Sequence, residues 1–79
     1  PIYPSLAKRR GIEMEVKVDF TIGRNGKVKD INFAQQSKLI YFKSAIRSAI
    51  RKWRFSPAIK DNRKVESKMT KIFSFSLQT

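Results

Sequence analysis

The sequence predicts an α+β domain of order α-β-β-α-β: a three-stranded antiparallel sheet with helices on one face. Three observations predict it. Residues 14–22 alternate apolar and polar with period two, an Asn25-Gly26 pair follows, and residues 39–53 change to a helical period.

The first element is a short helix over Pro4–Arg10. Pro4 suits the first helical position and Gly11 suits a left-handed stop. Lys8, Arg9 and Arg10 occupy the last turn, where the helix dipole favours cations. The first strand covers Glu13–Ile22, with Met14, Val16, Val18, Phe20 and Ile22 on the buried face. Gly23-Arg24-Asn25-Gly26 is expected to be a type I′ hairpin turn with both central residues at positive φ. The return strand covers Lys27–Ala34. Val28 is out of phase with Ile31 and Phe33, which calls for a bulge near Lys29 or Asp30.

Ser37 is placed to cap the second helix, Leu39 to about Trp53. Leu39, Phe42, Ile46, Ala49, Ile50 and Trp53 form its apolar stripe, and Trp53 is read as core. Lys43, Arg47, Arg51 and Arg54 form a second, basic face, with no acid between Lys38 and Ile59. Like charges at i, i+4 repel, so this face is more cationic than a purely structural helix requires. Pro57 ends the helix, and Ala58–Lys64 reads as a polar loop. Lys68–Leu77 is the last strand, with Met69, Phe73, Phe75 and Leu77 in phase. It is expected to pair with the first strand, which leaves it at an edge of the sheet.

Composition narrows the function. The chain has no His and no Cys, so the commonest general base, the thiolate nucleophile and most transition-metal ligands are missing. Glu15 and Asp19 share a strand face with Lys17 between them, a solvated row and not an acid–base pair. The expectation is a binding domain that is not an enzyme and needs no cofactor or metal. The formal net charge of +12 points to an anionic partner or to electrostatic steering. No apolar run approaches the ~20 residues of a membrane span. The start at Pro1 leads to the expectation of one domain, residues 1–79, cut from a longer protein.

Two surfaces compete for function. Lys68–Leu77 has neither Pro nor Gly, and its charges are Lys68 and Lys71. Such an edge can accept a partner strand. The alternative is a basic nucleic-acid-binding module. Phe20, Phe33, Phe73 and Phe75 fall mostly on the helix-covered phase, and the aromatic signature of RNA-recognition sheets is absent, which speaks against it.

The residues also resemble a known family. Tyr3-Pro4, Ala7, Gly11-Ile12-Glu13, Val16-Lys17-Val18 and Asn25-Gly26-Lys27-Val28 are similar to the start of a TonB carboxy-terminal domain. Residues 45–52 leading into Trp53-Arg54-Phe55-Ser56-Pro57-Ala58 resemble its second half. Met14 departs from the pattern, because the family usually has glycine after the Ile-Glu pair.

The resemblance implies a periplasmic module of an energy transducer, anchored in the inner membrane through a segment absent from this chain and linked by a Pro-rich spacer. Its implied partners are the TonB boxes of outer-membrane receptors, with ExbB and ExbD reached through the missing part and peptidoglycan as a further contact; no nucleic acid is expected. The box adds as a strand to the last main strand, which maps to Lys68, Met69, Thr70, Lys71, Ile72, Phe73, Ser74 and Phe75. A second receptor-contacting region maps to Ile2, Tyr3 and Pro4, where Ile2 replaces a frequent glutamine. Lys43, Arg47, Arg51 and Arg54 then serve as a steering face. The transport implied is import of siderophores, haem or cobalamin driven by the proton-motive force.

Overall fold

The computed structural model describes residues 3–77. Helix α1 is Ser5–Arg9, with Pro4 one position earlier than expected, at the N-cap. Its end is a Schellman motif: Ile12 N–H donates to Ala7 O (2.9 Å) and Gly11 N–H to Lys8 O (3.2 Å). Gly11 carries the left-handed φ of +65° that this motif requires.

Strand β1 (Met14–Ile22) is central, between β2 (Val28–Phe33) and β5 (Ser67–Phe75). Both neighbours are antiparallel to it, as the sequence suggested. The connection between β1 and β2 corrects one expectation. Gly26 N–H donates to Gly23 O and Gly23 N–H to Lys27 O, both 2.9 Å, and only Gly26 of this loop has positive φ. This is a type I turn closed by a left-handed glycine, not a type I′ turn. The Asn25 side chain accepts from Lys27 N–H (3.0 Å), so it stabilises the loop without itself turning left-handed. The bulge is at Asp30, φ +52°: Asp19 pairs with Asn32 but Thr21 with Lys29. The extra residue lets Val28 and Phe33 share the core face.

The expected 39–53 helix is two pieces. A 3₁₀ turn, Leu39–Tyr41, precedes α2, Lys43–Arg51. Leu39 and Phe42 are both buried; three residues apart, they share a face in an α period and eclipse in a 3₁₀ one, so the tighter turn still aims both at the core. Ser37 caps neither piece, since Lys38 and Phe42 hold those positions without side-chain caps. Trp53 lies beyond the helix end and is half-buried, at the rim of the core and not within it. The expected polar loop is a hairpin of β3 (Ala58–Lys60) and β4 (Arg63–Val65). Asp61 and Asn62 both take positive φ there, so the type I′ turn occurs at this position. The order is therefore α-β-β-α-β-β-β, with an added two-stranded sheet.

One core sits between the helices and the sheet. It joins Val16, Val18, Phe20 and Ile22 of β1 to Phe73 and Phe75 of β5, with Phe42, Ile46 and Ile50 above and Ala7 at the side.

Lys29 and Glu66 form the one salt bridge among the described residues, joining β2 to the residue before β5. Their hydrogen bond holds the Glu66 carboxyl below its ordinary 4.5 and the Lys29 ammonium above its ordinary 10.5. The lowered carboxyl contributes stability above its unfolded pKa and loses it as pH falls through the folded one. The raised ammonium contributes below its unfolded pKa and loses it as pH rises through the folded one. Both side chains are nearly half exposed, so the contribution is small. Thermal melts of Glu66→Gln are expected to trail the parent slightly at neutral pH and to converge with it as pH falls below 4.5 and through the lowered Glu66 value.

Candidate functional site: the free edge of the last strand

Which backbone groups of β5 are free follows from the ladder. Gly23 N–H donates to Lys27 O, and Ala34 N–H donates to Lys17 O (3.1 Å). In an antiparallel ladder the backbone groups of successive residues point to opposite sides. Odd-numbered residues of β1 therefore face β2, and Val16, Val18 and Phe20 face β5. Their partners Phe73, Lys71 and Met69 face back. The N–H and C=O groups of Lys68, Thr70, Ile72 and Ser74 point out of the sheet, where no described strand pairs with them.

The side chains of those four residues stand on the sheet face away from the helices. Two of them bond across to β1: Thr70 Oγ1 to Asp19 Oδ1 (2.5 Å) and Ser74 Oγ to Glu15 Oε2 (3.2 Å). These rungs hold β5 through its side chains and leave its outer backbone groups unused. Ile72 lies opposite Lys17 and is 57% exposed. The edge ends where the Glu13 carboxylate accepts from Leu77 N–H.

On the helix side the edge borders a shallow cleft lined by Trp53, Arg54, Phe55, Met69 and Lys71. It exists because α2 stops at Arg51, short of this end of the sheet. Trp53 stacks on Phe73 (5.7 Å, 24°) and meets Phe20 and Phe55 edge-on. Reading Trp53 as core concealed this cleft; the outward signal was its spacing to Phe55 past the end of the stripe.

The other expected site residues divide. Ile2 lies outside the described residues. Tyr3 is committed to the fold: its hydroxyl donates to Ile12 O, and its ring meets Phe42 (5.9 Å) and Phe75 (5.4 Å) edge-on. Desolvation, with the Glu13 charge second, keeps that hydroxyl above its ordinary 10.0 and so a donor. Pro4 is extended, φ −59° and ψ 134°. In the basic set, Lys43 Nζ (5.6 Å) and Arg47 Cζ (5.4 Å) lie over the Phe33 ring. Arg54 falls past the end of α2 and donates to the carbonyls of Arg51 (3.0 Å) and Trp53 (2.8 Å). These three cations do structural work as well as setting a field. Among the described residues no cluster of His, Cys, Asp and Glu could hold a metal, and no helix is long and apolar enough to cross a membrane.

Residues 1–77 match the family model described as the Gram-negative bacterial TonB protein C-terminal. The chain belongs to this TonB family. It is 38% identical over 78 residues to Protein TonB of Pseudomonas aeruginosa, covering 99% of this chain and 23% of that protein. It is 36% identical over 55 residues to Protein TonB of Yersinia enterocolitica, covering 70% and 22%. The solution NMR structure of the Pseudomonas aeruginosa TonB C-terminal domain superposes with a TM-score of 0.82 at 38% identity, covering all of this chain and 80% of that one. The α+β expectation therefore holds, and the chain spans under a quarter of the length of these TonB relatives.

Proposed function

We propose that this TonB-family domain grips outer-membrane receptors by adding their extended TonB-box segment as a strand along β5. The observation that carries this reading is the row of outward backbone groups on Lys68, Thr70, Ile72 and Ser74. Strand addition draws affinity from the backbone, so it tolerates varied receptor sequences. Each ladder bond contributes about 1 kcal/mol net, which gives moderate affinity. A pull along the strand loads these bonds together, as force transmission requires. Alternate side chains of the added strand pass over the cleft beside Trp53 and Phe55, where an apolar group is favoured.

In the whole protein this module sits in the periplasm, anchored in the inner membrane, and carries energy from ExbB and ExbD to receptors that import siderophores, haem or cobalamin. Pro4 and the residues before it form a second contact, and peptidoglycan a third. The test is an NMR titration with a TonB-box peptide. The expected result is amide shifts concentrated on Lys68, Thr70, Ile72 and Ser74. Shifts confined to Lys43, Arg47 and Arg51 would overturn the reading.

A further inference from the structure

The +12 charge is not spread over the molecule. Residues 3–12 and 34–57, which carry α1, the 3₁₀ turn and α2, hold nine Lys and Arg and no acid. Residues 13–33 and 66–77, which carry the three-stranded sheet, hold six cations against five acids. The β3–β4 hairpin holds three against one. The salt bridge between Lys29 and Glu66 lies on the sheet side, so no acid of the described residues neutralises the helical layer. The domain is electrically two-sided, with a cationic helical layer on a nearly neutral sheet.

That layer also carries exposed apolar side chains. Ile40, at the middle of the 3₁₀ turn, is 82% exposed, the most exposed large hydrophobic residue described, and Leu6 on α1 is 44% exposed. The two elements are neighbours, since Arg10 Nη1 donates to the Tyr41 hydroxyl (3.1 Å). Ile40, Lys43 and Arg47 line one shallow depression. Cations around a projecting aliphatic residue suit a lipid interface: headgroup phosphates take the charges and the acyl boundary takes the isoleucine. A hydrophilic polyanion would use the charges and leave Ile40 in water.

We propose that the helical layer docks on an anionic phospholipid surface, with Ile40 inserted below the headgroups. The sheet edge lies to the side of this layer, so β5 remains open to a partner while the domain is docked. The inference stands whether or not β5 binds a receptor segment.

The test is co-sedimentation of the domain with phosphatidylcholine vesicles, with and without about 30 mol% phosphatidylglycerol, at low and physiological salt. Binding to the anionic vesicles at least about tenfold above the neutral ones, weakening with salt, is expected. Ile40→Ser, at a position outside the core, is expected to weaken that binding severalfold and to leave binding to soluble polyphosphate unchanged. Arg51→Gln with Lys52→Gln is expected to weaken both. Equal binding to neutral and anionic vesicles overturns the proposal. So does undiminished vesicle binding by Ile40→Ser, which would mark a general polyanion surface.

Discussion

Proline at Ile72 is expected to weaken peptide binding at least about tenfold while the domain stays folded. The Ile72 N–H points out of the sheet, so the free domain gives up no ladder bond when it is removed. A bound strand loses that bond, worth about 1 kcal/mol, and meets the pyrrolidine ring where its own carbonyl should approach. Thr70→Pro should behave the same way. Lys71→Pro is the informative control. Its N–H faces Val18, so this substitution breaks a bond inside the sheet and should lower the melting temperature instead. Calorimetric titration paired with thermal melts separates the outcomes. Normal binding by both Thr70→Pro and Ile72→Pro would sink the strand-addition model.

Gly26→Ala is expected to destabilise the fold by about 2–4 kcal/mol, more than 10 °C of melting temperature by rough scaling for a domain of this size. A Cβ at Gly26 would lie 2.2 Å from the Phe55 carbonyl oxygen, in a backbone with φ +79°. Relief requires Phe55 to move, yet Phe55 N–H donates to Gly26 O (3.0 Å) and Lys27 bridges to Arg54. Gly11→Ala separates the two penalties. Its φ is +65°, but nothing lies within 4 Å of its Cβ position, so only the left-handed cost of about 1 kcal/mol applies. Urea unfolding of both variants measures the difference. Equal losses would mean that the contact with Phe55 carries no weight.

That contact also shows how sequence signals can be read singly and yet act jointly. Asn25-Gly26 was legible as a hairpin signal and Trp53-x-Phe55-x-Pro57 as a helix ending. Nothing local says that the first is packed against the second, because a long-range backbone approach leaves no periodicity. The alternation of β1, the Gly11 stop and the bulge at Asp30 were legible because each is a local steric demand. The break at Phe42 was not, because Leu39 and Phe42 satisfy both a 3₁₀ and an α period, and packing decides. The Asp61-Asn62 hairpin was hidden by strands of three residues, too short to alternate. At the candidate site the strand was legible but its usable half was not. Which residues turn their backbone outward depends on the hydrogen-bonding phase of β1 against β2, two strands away in the pairing.

The two borders of the sheet are unequal, which bears on how many guest strands the proposed site could take. β2 is short, is kinked by the left-handed Asp30, and has Lys43 and Arg47 folded over its Phe33. β5 runs straight through its pairing with β1, without a bulge. A sheet with two open borders can be extended at each end and grow without limit, whereas one with a single open border is filled by one guest. Even a second copy docking there would cap both molecules and stop. With β5 as the proposed acceptor, the bulge that restores the phase of β2 leaves the sheet one regular border, so the proposed contact would take a single guest strand.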